Sequence, residues 1–482
     1  MNVAIIKNDK LDYNRDAPFN PAKNYPEYPF KDISQKNVVY DSIRKIFFML
    51  GMDKENFNTE SWNPLGEIIK PKNQVLIKPN LVRDYNLNNS GMDQVITQGS
   101  IIRAILDYVN IALKGEGSII IGDASFLNTD FEKAVKIVGI DKILDFYNDN
   151  SKMKIFLIDF RRKRAFRGRF GNFNITELKG DPFGYTVIDL KDDSEFVEII
   201  DDYKKFRVPN YDKNEMIQHH NKNKIEYRIP NSVLKSDVII NLPKLKSHRK
   251  AGITGSLKNM IGICASKEWL PHHRYGSAEE GGDEYLYKSF RKTLLSNLIE
   301  RRDSTSSEFQ SIIMHQLHHL IDVTRYLFPY KDQYFEGSWY GNDTIPRTII
   351  DLNKILFYTD KTGNFKNEIS RKMFIVVDAI VAGEKEGPNA PSPKNSGLLV
   401  AGFNPVAVDL ICCSAMGFDY KKVPIFKYAL NAKKYKISDG KPEEIKVISD
   451  KCSKFIDVYN EFNCNFIPAS GWRGHIEYEK MG

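Results

Sequence analysis

Six short apolar runs, at residues 3–6, 75–77, 119–121, 155–158, 238–240 and 374–377, constrain this chain most, because each has the length and β-branched content of a buried strand. Helical patterns separate some of them. Residues 37–52 place apolar side chains at 38, 39, 43, 46, 47 and 50, and residues 100–113 place them at 101, 102, 105, 106, 109 and 113, both at the spacing of an amphipathic helix. Ser100 is a suitable N-cap for the second helix, and Gly115 comes just after its end. Strand, helix and strand between 75 and 121 make a βαβ unit, which implies a parallel sheet with a right-handed crossover. The fold class is therefore expected to be α/β: a mostly parallel sheet with flanking helices, an inserted basic subdomain and a helical insertion.

With 482 residues, 41% of them hydrophobic, the chain can bury substantial cores. The runs divide it into an N-terminal extension (1–74), a first part of the α/β core (75–160), an insertion (161–232), a second core part with a Gly/Lys motif (233–275), a mainly helical insertion (276–372), and a third core part with a C-terminal tail (373–482). The first insertion opens on Arg161, Arg162, Lys163 and Arg164, with Arg167 and Arg169 close behind, and reads as a solvated surface strand with small hairpins. A net charge of +8 suits small anionic partners and falls short of the clustered excess of specific nucleic-acid binding. The five cysteines form no C-x-x-C pair and read as reduced thiols. The apolar stretch at the N-terminus is too short for a signal peptide, and no run reaches the ~18 apolar residues of a membrane helix. A cytoplasmic protein without membrane insertion is expected, with homo-oligomerisation left open.

Polar residues gather immediately after the apolar runs. The strands lead into Lys78-Pro79-Asn80, Gly122-Asp123, a stretch containing Lys244, Lys246 and His248, and Asp378. In an open α/β sheet, ligands sit beyond the carboxyl ends of the strands, so these four sets should converge. The next segment holds Gly252, Thr254, Gly255, Ser256, Lys258, Asn259 and Gly262. Its glycines allow a turn whose N–H groups cradle an anion, although neither the Walker A spacing nor G-x-G-x-x-G is present. Lys258 could pair with an anion or, once desolvated, act as a base or nucleophile.

Other candidates compete with plainer roles. His315, His318, His319 and Asp322 sit at helical spacing that could ligate a metal, but beside a competing apolar stripe the histidines read first as its border. Asn342 and Arg347 suit a pocket contact or a helix start. Asp378 with Glu384 could hold a divalent ion or act as a base. Asp409, on a helix opened by Asn404-Pro405, reads as a brace for the site, and Cys412 and Cys413 read as core.

Taken in order, Lys78-Pro79-Asn80-Leu81, Gly122-Asp123, residues 243–248, residues 254–262, Asp378-Ala379-Ile380 with Glu384 and Gly387-Pro388, and residues 404–409 resemble the family known as domain of unknown function 362. Some relatives carry ferredoxin-like cysteine clusters, which this chain lacks. A fainter resemblance links His248, Gly252 to Gly255, Lys258 and Gly262 to the lactate racemase superfamily, whose lysine carries a nickel-pincer nucleotide. That resemblance implies His248 as general acid/base, Lys258 as cofactor or substrate anchor, and His272 or His273 as metal ligand. Ser256 and Ile261 replace a glycine and a proline of the superfamily pattern, which argues against the nickel cofactor itself.

The expected function is an enzyme acting on a small anionic metabolite bearing a carboxylate or phosphate. Isomerase-like proton or hydride transfer on a hydroxy or sugar acid leads. A group-transfer enzyme using a nucleotide or phosphate, and a metal or cofactor carrier, are the alternatives. The expected catalytic set is His248, Lys258, Asp123 and Asp378, with Lys78, Asn80, Lys244, Lys246, Thr254, Gly255, Ser256, Asn259, Asn342 and Arg347 binding substrate. If a divalent metal is bound, His272, His273 and Glu384 are its expected ligands. The cofactor itself is not specified by the sequence.

Overall fold

The computed structural model describes residues 1–34, 36–167, 173–305 and 307–479; Arg169 of the basic run lies outside the described residues. Ten strands build the central sheet: β1 (Asn2–Lys7), β2 (Gln74–Pro79), β3 (Ser118–Asp123), β4 (Lys154–Asp159), β5 (Val238–Leu242), β6 (Lys244–His248), β7 (Gly252–Thr254), β8 (Lys372–Glu386), β9 (Ala390–Gly402) and β10 (Lys446–Ile448). Their order is β10-β1-β9-β8-β5-β2-β3-β4. The run β8-β5-β2-β3-β4 is parallel, and β9 is antiparallel to both β8 and β1. Beyond Pro243 the chain of β5 continues as β6, still parallel to β8, and β7 folds back on it.

Alternation explains why these strands read as unbroken apolar runs. Val75 and Ile77, Ile119 and Ile121, Val238 and Ile240, and Phe374 and Val376 enter one core, while Leu76, Ile120, Ile239, Ile375 and Val377 enter the other. Both faces are covered, so no position is left for a polar residue. Helices α1 (Val38–Met49) and α2 (Gly99–Leu113) cover the first face. Crossing from β2 to β3, α2 starts at Gly99 rather than after Ser100, and Gln98 N–H donates to Asp378 at 3.0 Å. The distant carboxylate thus holds the N-cap residue itself, and among the described residues no side chain caps the first-turn N–H groups as expected of the serine.

The first 74 residues are integral to the fold, because β1 lies between β9 and β10. In the first insertion, Lys163–Arg167 pairs with Phe173–Glu177 and Tyr185–Asp189 pairs with Lys224–Pro230. Arg161 departs from the solvated reading of the basic run: it is buried, 2.6 Å from Asp159, and also donates to the carbonyls of Phe126 and Thr129. No helix among the described residues is long and apolar enough to cross a membrane.

Short helix α3 (Ser256–Asn259) comes after β7; α4 (Phe290–Ser304) and α5 (Glu308–Val323) belong to the helical insertion, and α6 (Thr344–Tyr358) and α7 (Pro405–Met416) pack on the second face. Asp409 of α7 locks α3 in place, accepting from Ser256 N–H at 2.6 Å and Leu257 N–H at 2.9 Å. Gly255 is required there, since a Cβ would stand 2.3 Å from the Asp409 carboxylate. Removing the carboxylate strands two buried donors, so Asp409→Ala is expected to cost about 2–4 kcal/mol. Urea denaturation with an unchanged slope checks this, and Gly255→Ala should destabilise in the same direction.

Candidate functional site

A cavity of about 440 Å³ opens at the carboxyl ends of β2, β3 and β6. The strand ends supply Asn80, Asp123 and His248; the segment around α3 supplies Lys258, Asn259 and Gly262; loops add Arg83, Lys250, Lys267 and His272. Five lysines and arginines (Arg83, Arg249, Lys250, Lys258, Lys267) meet two carboxylates, Asp123 and Glu336, so the lining carries a positive excess.

Beneath this lining lies a layer of polar groups that satisfy one another. Lys78, fully buried, donates to Asp123 at 2.8 Å, and the second Asp123 oxygen accepts from Leu81 N–H at 2.6 Å. Gly262 packs directly on this pair, where a Cβ would stand 2.0 Å from the Asp123 oxygen. Lys246 donates to Asn80 at 2.8 Å, Asn80 donates to Asn259 at 3.0 Å, and Asn259 donates to Asn241 at 2.8 Å. The chain of bonds ends on Ser256, whose hydroxyl accepts from Asn241 at 2.9 Å. These contacts fix Asn80, Asp123 and Asn259 and leave Lys78, Lys246 and Ser256 behind the wall.

Several expected site residues therefore sit elsewhere. Asp378 is sealed in the core, accepting from Tyr13 at 2.5 Å and paired with Lys244 at 2.5 Å. Both are structural, because Tyr13, brought by the N-terminal segment, closes over them. The N–H groups after Gly255 do not cradle an outside anion: Asp409 already occupies those of Ser256 and Leu257. Thr254 lies buried outside the cavity lining. Asn342 accepts from Thr344 and Ile345 N–H groups at the start of α6 and donates to the His272 carbonyl at 2.9 Å. Arg347 pairs with Asp343 at 3.0 Å, away from the lining.

The expected metal ligands do not converge. His272 lines the cavity, His273 faces a small neighbouring cleft, and Glu384 accepts from Ile467 N–H at 3.0 Å. Among the described residues no group of three or more His, Cys, Asp or Glu, including the α5 histidines, could hold a metal ion. The nickel-pincer cofactor does not fit this donor set.

The two cavity histidines are held in opposite tautomers. His248 Nδ1 accepts from the N–H groups of Lys250 at 3.0 Å and Ala251 at 3.1 Å, so its proton is on Nε2. His272 Nδ1 donates to the Leu270 carbonyl at 2.6 Å, which leaves Nε2 as a lone pair. Burial, reinforced by the cavity lysines, keeps both neutral: the His248 pKa lies well below the usual range and that of His272 falls to about 3.

Burial also weakens the hold of the lysines on their protons. Lys258 drops to about 7, with Lys267 as a second lowering influence, and Lys267 and Lys250 drop to about 8. Arg83 cannot respond in this way, because guanidinium stays charged in proteins. It is 8% exposed, and its Nε and Nη1 have no hydrogen-bond partner. Its guanidinium lies 4.5 Å from the Tyr85 ring centre, which holds the plane without satisfying its donors. Arg83, Lys250 and Lys267 are not among the residues expected from the sequence. Arg83 stands three residues past Asn80, and that short spacing from a strand end is its only signal there.

No curated protein matches the chain. Among solved structures, a crystal structure of a protein from Thermotoga maritima is similar at 11% identity and a TM-score of 0.29, over 75% of this chain and 54% of that one. The chain thus spans about half the length of that neighbour. Residues 181–414, which include β5 to β8, α3 and the His248 to His272 lining, match the family model described as domain of unknown function (DUF362).

Proposed function

We propose that the protein is an enzyme that binds a small metabolite through its carboxylate or phosphate and moves a proton on it, in an isomerase-like reaction on a hydroxy or sugar acid. Arg83 carries this reading: a buried, permanently charged group with two unused donors is best matched by an anion, which accepts from the donors and offsets the charge. Lys250 and Lys267 add charge on the same wall.

The remaining groups divide the proton work. Lys258, with a pKa of about 7, supplies a free amine at neutral pH and serves as the base. His248 presents Nε2–H to an oxygen on which negative charge develops, and His272 presents Nε2 to a substrate hydroxyl. His248 is thereby a donor rather than the acid/base expected from the sequence, since a neutral ring whose Nδ1 already accepts two bonds has no lone pair on Nε2. Group transfer on a nucleotide or phosphate ester is the second reading, favoured by a cavity that is large for a three-carbon acid.

Two measurements test the proposal. Arg83→Gln should weaken inorganic phosphate and lactate binding by about 10–100-fold in isothermal titration, the loss of charge-assisted hydrogen bonds. Undiminished affinity would remove the anion reading. The pH dependence has a definite sign. Turnover should rise with pH through about 7 as Lys258 releases its proton. Lactate, whose own charge is constant there, should bind more weakly above about 8 as Lys250 and Lys267 become neutral. Lys258→Arg should keep the charge and the binding and lose turnover across the range.

A further inference from the structure

We propose that Lys258 is a nucleophile that forms a Schiff base with the carbonyl of its ligand, which narrows the substrate class to small anions bearing a ketone or aldehyde. This rests on the anion-binding reading and adds a covalent step to it.

Among the described residues the buried lysines, and half-buried Lys250, are all capped by oxygen, whereas half-buried Lys258 is not. Lys78 is paired with Asp123, Lys244 with Asp378, and Lys292 with Asp332. Lys246 donates to Asn80 and to the Val95 carbonyl, Lys250 to the Glu336 carbonyl, Lys267 to the Ile261 carbonyl and Lys354 to the Asp193 carbonyl. Each ammonium has an oxygen to receive its protons. Among the described residues Lys258 has none, and only burial and two charges at a distance, Lys267 and Asp123, act on it. Asp123 is not its partner: the carboxylate oxygens are turned to Lys78 and Leu81 N–H, and no hydrogen bond or ion pair joins Asp123 to Lys258. A lysine kept for structure would be capped like the others. This one is left as a bare amine facing the cavity, beside a second cation, the arrangement that activates lysine for attack on a carbonyl.

The neighbours supply what the step requires. With the anionic group on Arg83, the Lys258 nitrogen pair forms the N–C bond while the C=O π pair moves to oxygen, where His248 Nε2–H can donate. One proton passes from nitrogen to that oxygen, giving a neutral carbinolamine. A second proton, from the Lys267 ammonium and restored by solvent, lets the C–O bond break with its electron pair and water leaves. The remaining nitrogen pair then closes the C=N⁺ bond. The iminium keeps one N–H, and no oxidant or reductant is consumed. Its positive charge acidifies the adjacent carbon, where the His272 Nε2 lone pair is available as acceptor.

The test is reductive trapping on the full chain. Pyruvate, glyoxylate and glyceraldehyde phosphate are each incubated with the protein and borohydride near neutral pH, and the labelled site is located by peptide mapping. The expected result is one reduced adduct per chain on Lys258 with at least one of these probes. Saturating inorganic phosphate should suppress it about tenfold or more by occupying Arg83, and it should be absent from Lys258→Arg. Phosphate protection uses the unaltered protein, so the result does not depend on the variant folding. If phosphate binds in an Arg83-dependent way and no probe labels Lys258 above the surface lysines, the Schiff base is overturned and Lys258 remains a base. If neither phosphate nor any probe binds, the anion-binding reading falls with it.

Discussion

The buried pair of Lys78 and Asp123 is the contact on which the site depends. It joins the ends of neighbouring strands β2 and β3, holds the turn at Leu81 through its second oxygen, and receives Gly262 from the segment after α3. A buried ion pair contributes little net stability over an apolar substitute, yet loss of one partner costs about 3–5 kcal/mol because the other charge is stranded. Its larger consequence is electrostatic. With Asp123 paired to Lys78, the acid in the cavity wall acts on Lys258 only at a distance, and the positive excess of the lining is preserved.

The parts of the fold legible in the sequence are those set by local rules. Runs such as 119–121 and 238–240 read as strands buried on both faces, and the strand-end rule then brings Asn80, Asp123 and His248 to one cavity, which Lys258 and Asn259 join from α3. What the same rule cannot separate is a residue that lines a site from one that supports it. Lys78, Lys244 and Lys246 end or continue apolar runs just as the lining residues do, but each meets an acceptor far along the chain and is buried by it. Asp409 takes the place of an external anion for the same reason: a carboxylate more than 150 positions away reaches the N–H groups that the glycines expose. Arg83 is hidden in the opposite sense. An arginine in a loop after a strand reads as surface, and only burial with unused donors marks it.

The histidines show how far backbone contacts decide chemistry. His248 and His272 share a cavity and a common cause of low basicity, yet one is fixed as a donor and the other as an acceptor. The difference is made by the turn after β6, whose two N–H groups point at His248, and by the Leu270 carbonyl, which points at His272. The Asn342 amide, donating to the His272 carbonyl, ties the second of these to the start of α6. Helical insertion and sheet thus meet at the two cavity histidines.

The charged lining of this cavity works against the stability of the fold. Arg83 is charged at every pH and lacks acceptors for two donors, while Lys258, Lys250 and Lys267 are each held in a state where burial opposes their charge. Lysines whose folded pKa is depressed lower the stability of the fold as pH falls below their unfolded value, because the unfolded chain takes up protons that the folded one resists. On the proposed anion-binding reading, a bound anion would reverse each of these terms together, by accepting from Arg83 and by favouring the charged lysines around it, and binding and folding would be coupled through the same few side chains. The cost of leaving Arg83 and Lys258 unpaired is carried by the buried polar layer below, in which Lys78, Lys246, Asn80, Asn259 and Asn241 satisfy one another and hold the wall in place.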